Sequence, residues 1–553
     1  MTALRRALIR SIAVLGAALL SLTIAVPSNA AGYETITGTG STWSKNALDQ
    51  WRTNVAANYG MTVNYNGQGS TQGRRDFITG GIDYAVSEIP FQGSPEDGSA
   101  PEVPPRGYAY MPIVAGGTAF MYHLNIGGKR VTNLRLSGET VTKIFTGGIT
   151  NWNDPAIKAD NPGLAMPDKT IVPVIRSDGS GSSAQFSLWM SKQHPAVWNA
   201  FCASVGRASP CGLTSQYPLF GNAKGQKGSD GVAGYVSQGY GEGAITYVEY
   251  SYAIKAKFPV AKILNQSGHY IEPTAPSVAV ALLKAQIDTN ASSKDYLTQI
   301  LDGVYNSADP RTYPLSSYSY MIVPTEVKPP AVFTAAKGAT LGAFASYMLC
   351  EGQQQAGALG YSPLPMNLVL AGFDQIKRIP GAEGASVDPA KCNNPTFKAG
   401  DSPSSNQLAT TAPQPAACDK KGPDQCTTGT AGALQDTATT GTGAGGSAAG
   451  GAAVAAEAGA AGAGAAAADG GAAIAADVAT YDENGNLIAG ASTVGGAVAI
   501  ASPFTLDDEG WGWQQSTMLG AVLLLLVAVA LPPYLSRRLK GAGPVADPKA
   551  AVK

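Results

Sequence analysis

With 553 residues, the chain is long enough for two compact lobes and additional segments. Its 38 Lys and Arg balance 39 Asp and Glu for a formal net charge of -1, which excludes a broad basic field for nucleic acid. Any anion must therefore be caught locally. Only three histidines occur, His123, His194 and His269, none near a cysteine at finger-like spacing, so neither a metal site nor another cofactor is expected.

In chain order, Arg5, Arg6 and Arg10 precede an apolar run over 12–26 and then Pro27-Ser28-Asn29-Ala30-Ala31. This reads as a secretory signal peptide, 1–30, cleaved after Ala30; the run is short for a retained anchor, and no cysteine lies near the cleavage point to carry a lipid. Gly38-Thr39-Gly40-Ser41-Thr42-Trp43 then opens a helix whose buried face is Ala47, Leu48, Trp51 and Val55. After an alternating strand (Met61, Val63, Tyr65), Gly67-Gln68-Gly69-Ser70-Thr71-Gln72-Gly73 opens a shorter helix carrying Phe77 and Ile78. A helix over 140–145 is stopped by Gly147-Gly148. A β-branched run, 171–175, leads into Arg176-Ser177-Asp178-Gly179-Ser180-Gly181-Ser182-Ser183, followed by Phe186, Trp189 and Met190 at helical spacing. A strand over 244–248 and a helix over 279–287 continue the alternation, which argues for α/β sheets.

The cysteines fall in near pairs: Cys202 with Cys211, Cys350 with Cys392, and Cys418 with Cys426. In an exported chain such pairs read as disulfides, although spacing alone leaves the connectivity open. From 376 to 515 the chain is rich in Pro, Gly, Ala and Thr and reads as a linker or stalk; within it, 478–488 has hairpin chemistry around Asn484-Gly485. An apolar stretch over 516–535 has the length of a transmembrane helix, with Trp511 and Trp513 at one end and Tyr534 at the other. Arg537, Arg538 and Lys540 place the tail, 536–553, in the cytoplasm, and Asp507, Asp508 and Glu509 outside. A sortase signal shares the apolar segment and basic tail, but Leu531-Pro532-Pro533-Tyr534 lacks the threonine-glycine such signals need.

The three Gly/Ser/Thr-rich helix starts carry the chemistry. Each aims unpaired backbone N–H groups and a helix dipole at one point, hydroxyls add neutral donors, and Arg176 adds a planar charged fork suited to an oxyanion. The plainer reading of any one of them is a turn with serine caps and a surface arginine. Taken in order they make a pattern. Together with Ile82-Asp83-Tyr84-Ala85-Val86-Ser87-Glu88, Ser229-Asp230-Gly231-Val232-Ala233, Gly243-Ala244-Ile245-Thr246-Tyr247-Val248-Glu249-Tyr250 and Leu359-Gly360-Tyr361-Ser362-Pro363-Leu364-Pro365, the stretch from 33 to 368 resembles the phosphate-binding protein of the bacterial high-affinity phosphate ABC transporter.

The resemblance implies a two-lobed, periplasmic-binding-protein-like (type II) α/β fold over 31–375, with crossing strands and a central cleft. Lobe one would be about 32–112 plus a C-terminal return, and lobe two about 113–262. It implies phosphate ligands at Thr42, Trp43, Ser70, Glu88, Arg176, Ser180, Gly181 and Ser182, with Asp178 holding the Arg176 guanidinium. Trp43 and Gly181 would donate backbone N–H groups, and the hydroxyls of Thr42, Ser70, Ser180 and Ser182 would donate protons. Glu88 stands where the family usually has aspartate, a carboxylate with one more methylene of reach. The implied function is capture of inorganic phosphate for the permease and ATPase subunits of an ABC transporter, without catalysis. A membrane-anchored oxyanion sensor not coupled to transport is the alternative that the stalk and apolar span raise. A phosphate-ester hydrolase is disfavoured by the lack of a Gly-x-Ser-x-Gly elbow, a Walker-type loop and a His/Asp cluster.

Overall fold

The computed structural model describes residues 32–433, apart from 96, 97 and 291, and two short strands further on, Thr480–Tyr481 and Leu487–Ala489. The expected signal peptide, 1–30, the remainder of the stalk, the 516–535 span and the 536–553 tail lie outside the described residues. Thr480–Tyr481 pairs antiparallel with Leu487–Ala489, the pairing expected of the hairpin read from that stretch. Among the described residues, no helix is long and apolar enough to cross a membrane.

Eight strands make the main sheet: β1 (Ile36–Gly40), β2 (Val63–Gly67), β3 (Tyr84–Ser87), β4 (Tyr108–Tyr122), β5 (Val172–Arg176), β6 (Lys224–Gln226), β7 (Ala244–Glu249) and β8 (Ser316–Pro324), in the order β2-β1-β3-β8-β4-β7-β5-β6. At one end β1 pairs in parallel with β2 and β3, and at the other β5 pairs in parallel with β7 and β6. Parallel pairs need crossovers, and the amphipathic runs supply them. Helix α1 (Lys45–Tyr59) joins β1 to β2, burying the expected Ala47, Leu48, Trp51 and Val55, and α2 (Ser70–Thr79) joins β2 to β3.

The two ends are joined through β4. Over 108–117 it pairs antiparallel with β8, from Tyr108 opposite Pro324 to Gly117 opposite Ser316, with Ile113 skipped by the register. At Thr118 the partner changes to β7, from Thr118 opposite Glu249 to Tyr122 opposite Ile245. Each end has its own core. The first gathers Ile36, Trp51, Phe77, Val86, Met111, Ile322 and Phe344; the second gathers Phe120, Phe145, Phe186, Trp198 and Tyr247. This is a two-lobed α/β fold in which β4 crosses from the first lobe to the second, and the chain returns at the start of β8, between Leu315 in the second core and Tyr318 in the first. In the second lobe β5 leads directly into α3 (Gly181–Gln193), and β6 into α4 (Gly228–Ser237).

Two stretches differ from the sequence reading. The helix expected over 279–287 spans Ala275–Leu282 instead, and Gln286–Ile287 pairs as a strand with Gln299–Ile300. Thr274 caps the helix, its side chain accepting from the Ser277 N–H, and Pro276 sits in the first turn, so the start lies at the cap and not at the first apolar residue. Residues 376–433, which composition assigns to the linker, are packed onto both lobes. Ile379, Cys392 and Phe397 enter the first core, and the Cys350–Cys392 disulfide ties them down. Leu408, Ala409 and Ala412 pack on Ala279 and Val280. On the second lobe, Arg135 Nη1 donates to the carbonyls of Cys418 (3.0 Å) and Asp424 (2.7 Å), and Lys262 pairs with Asp419 at 2.7 Å. The segment is a strap held by disulfides and by side chains bonded to its main chain, which is why no apolar periodicity announces it. The remaining disulfides, Cys202–Cys211 and Cys418–Cys426, each close a short loop.

Candidate functional site

The Gly-rich turns meet where β1, β2 and β5 end. Gly69, at the start of α2, has φ +95°, and a Cβ there would strike the Asp178 carboxylate and the Gly179 carbonyl of the opposite lobe. A Cβ on Gly181 would fall onto the Glu88 carboxylate. Glycine is therefore required at both places by close approach of one lobe to the other. The lobes touch here through polar groups: Thr71 N–H donates to the Gly179 carbonyl at 3.1 Å, and Gln185 Nε2 to the Glu88 carbonyl at 2.8 Å.

Arg176, at the end of β5, is 2 % exposed and grips Asp178 with two parallel bonds, Nε to Oδ1 at 2.7 Å and Nη2 to Oδ2 at 2.5 Å. Burial alone would lower the guanidinium's pKa, but the hydrogen-bonded Asp178 carboxylate outweighs it and holds the group above its ordinary value. Burial likewise pushes Asp178 up, yet the bonds from Arg176 and the Gly228 N–H, at 2.9 Å, bring it below the usual carboxylate range. Both groups are therefore charged at neutral pH. The pair is internally neutral, so it brings an oriented set of N–H donors to the cleft without adding net charge.

Facing this pair across the cleft is Glu88, fully buried. Its Oε2 accepts from the Ser70 hydroxyl at 2.7 Å and its Oε1 from the Ser319 hydroxyl at 2.9 Å. Ser70 Oγ in turn accepts the Gly181 N–H at 3.1 Å, so the first N–H of α3 is linked through a serine to the carboxylate of the other lobe.

The structure brings all the sequence-derived residues together in this cleft, each at most 3 % exposed where a value is given: Thr42, Trp43, Ser70, Glu88, Arg176, Ser180 and Ser182, with Gly181 also buried. Their partners differ. Thr42 Oγ1 accepts the Ser229 N–H at 3.0 Å and lies 2.9 Å from Ser229 Oγ. The Trp43 N–H donates to Ser41 Oγ at 2.9 Å, closing its own turn. Ser180 Oγ caps α3 by accepting the Ser183 N–H at 3.2 Å. Ser182 Oγ is buried without a hydrogen-bond partner, a polar atom in need of one.

Four residues that the sequence reading leaves without a role belong to the same network. Ser229 opens α4, a fourth helix start aimed at the cleft; its signal is the Gly228-Ser229-Asp230-Gly231 run, written in the same residue types as the other three. Ser319 stands at a register irregularity of β8, which no sequence pattern announces. Tyr247 bonds Ser183 Oγ at 2.7 Å and accepts the Arg176 N–H at 3.3 Å, and burial pushes its hydroxyl up to about 12. Glu249 ends β7 at the lobe crossing. One of its oxygens accepts the Ser251 N–H and the other is unpartnered; burial raises its pKa well above the ordinary value.

Residues 25–351 match the family model of the PBP superfamily domain. The phosphate-binding protein PstS of Xylella fastidiosa is 33 % identical over 334 residues, covering 60 % of this chain and 82 % of that protein. The chain belongs to the phosphate-binding protein family of the PBP superfamily. PstS of Pasteurella multocida is 30 % identical over 352 residues, 64 % of this chain and 92 % of its own length. PstS 3 of Mycobacterium leprae is 30 % identical over 338 residues, 60 % of this chain and 84 % of its own. The whole strap, 376–433, lies C-terminal to the region matched by the family model.

Proposed function

We propose that the protein captures inorganic phosphate outside the cytoplasm and hands it to the permease and ATPase subunits of an ABC transporter, performing no catalysis itself. The observation that carries this reading is the juxtaposition, across one cleft, of the Asp178-braced Arg176 fork at the end of β5 and the Glu88 carboxylate held by Ser70 and Ser319. Donors on one side suit the anionic oxygens, and one carboxylate opposite suits the proton that phosphate still carries near neutral pH. In this reading Arg176 offers the charged fork, Thr42, Ser180 and Ser182 offer hydroxyls, and the Ser70 hydroxyl and the Trp43 and Gly181 N–H groups exchange their bonds to Glu88, Ser41 and Ser70 for bonds to phosphate oxygens. The unpartnered Ser182 hydroxyl supports it, as do relatives named for phosphate binding.

Residues 1–30 would direct export, and 516–535 would anchor the chain, leaving 536–553 inside. Protease added to intact cells then removes the binding domain and leaves a small C-terminal fragment; protection of the whole chain contradicts this topology. For the ligand, calorimetric titration of the full chain with phosphate, arsenate and sulfate is the test. Saturable phosphate binding with sulfate far weaker supports capture of phosphate. Equal binding of all three, or of none, rejects it.

A further inference from the structure

We infer that Ser229 is a positioning residue that makes closure of the lobes and the donor character of the Thr42 pair a single event, an inference that rests on the anion-capture reading above. Thr42 belongs to the turn between β1 and α1 in one lobe, and Ser229 to the first turn of α4 in the other. The Ser229 N–H donates to Thr42 Oγ1 at 3.0 Å, the two hydroxyl oxygens are 2.9 Å apart, and Arg176 Nη1 donates to Ser229 Oγ at 3.4 Å. Thr42, Ser229 and Arg176 are all buried, so their protons and lone pairs must find partners within this cluster or in a ligand.

The protons can be counted. Two hydroxyls bring two protons and four lone pairs. Ser229 N–H fills one lone pair on Thr42, and Arg176 fills one on Ser229. The bond between the hydroxyls consumes one proton and one further lone pair. If Ser229 donates to Thr42, both Thr42 lone pairs are filled and its proton is free. If Thr42 donates to Ser229, both Ser229 lone pairs are filled and the free proton is on Ser229. In either arrangement the hydroxyl with the free proton has no acceptor capacity left. Closure thus turns two ambivalent hydroxyls into one pair with a single obligate donor, suited to a deprotonated phosphate oxygen and not to a protonated one. With the lobes apart, Thr42 loses both Ser229 contacts and becomes an ordinary hydroxyl that donates or accepts. Ser229 links the cation of one lobe to the donor of the other.

The test is stopped-flow tryptophan fluorescence of the full chain with inorganic phosphate, using wild type, Ser229→Ala, Thr42→Val and the double variant. Ser229→Ala keeps the N–H bond to Thr42 and disturbs no cap, since the Ser229 side chain does not cap α4. The inference expects Ser229→Ala to raise the phosphate off-rate about tenfold, with the on-rate within about twofold. In the Thr42→Val background the same change should alter the off-rate by less than about twofold. An unchanged off-rate in the wild-type background overturns the inference. So does an equal rise in both backgrounds, because a merely structural serine would act independently of Thr42. Should Ser229→Ala fail to fold, Ser229→Cys, which keeps the volume with only weak hydrogen bonding, is read against the same criteria. A folded wild type that binds no phosphate overturns the capture reading and this inference with it; phosphate binding with Ser229 uncoupled from Thr42 overturns this inference alone.

Discussion

The cleft and the C-terminal strap both hold one lobe to the other, and they do so with different materials. In the cleft the contacts are single hydrogen bonds between polar groups: Thr42 with Ser229, Gly181 with Ser70, Thr71 with Gly179. Each is worth little net, because water or an anion replaces it when it breaks. The strap is fixed to the first lobe by a disulfide and by buried Phe397, and to the second by Arg135 bonded to two of its carbonyls. The disulfide is covalent and cannot open when a ligand enters or leaves, and no ligand group competes for the carbonyls that Arg135 holds. The difference teaches that reversible closure and permanent attachment are assigned to separate parts of the chain, so mutations in the two should affect different measurements.

The largest expected effect is on the strap. Replacing Cys350 and Cys392 by serine opens a loop with a sequence separation of 42, which should cost about 4 kcal/mol of unfolding free energy by the loop-entropy model. Urea unfolding reads this, and phosphate affinity of the folded variant should stay within about twofold. A large affinity loss would mean that the strap takes part in the site and would break the comparison. Next is Arg176→Ala, which should weaken phosphate binding by roughly 2–4 kcal/mol, since the ligand loses its one charged fork and Asp178 is left buried without its partner. Arg176→Lys should recover only part of this, lacking bidentate geometry. Calorimetry checks both, and wild-type affinity in the alanine variant would place the site elsewhere.

A smaller effect concerns Glu249 at the crossing of β4 and β7. Burial raises its folded pKa above the unfolded value. The stability it contributes is fully present below the unfolded value and is lost as pH rises toward the folded one, with a limiting slope of about 1.4 kcal/mol per pH unit for one proton. Glu249→Gln should therefore flatten the stability profile above about pH 4.3 and make the variant the more stable protein at alkaline pH. Parallel profiles for wild type and variant would show that this carboxyl is not held neutral.

How much could be read from the sequence follows the same division. Arg176 to Ser183 was legible because a β-branched strand, a Gly/Ser turn and an apolar helical face follow one another without interruption, and the structure places strand, turn and α3 there. Ser229 was less so: its run has the same residue types, but no β-branched run introduces it, and β6 before it is only Lys224–Gln226. Ser319 was invisible, since its position depends on a pairing with Val114 on β4, a strand far away in the sequence. The strap was misread because its order comes from distant partners such as Arg135 and Cys350, and a local composition of Pro, Asn and Ser is the same whether such partners exist or not.

The central claim is that the cleft recognises phosphate by opposing a set of donors to a single carboxylate, and competition calorimetry of phosphate against sulfate on wild type and Glu88→Gln tests it most directly. Sulfate near neutral pH has no proton to offer Glu88, so wild type should prefer phosphate by at least ~100-fold, on the order of 3 kcal/mol for one charge-assisted bond made or refused. Glu88→Gln removes the repulsion and supplies an N–H donor, so sulfate binding should rise while phosphate binding holds or falls. A sulfate-to-phosphate ratio unchanged by the substitution would contradict the account and leave Glu88 only its bonds to Ser70 and Ser319.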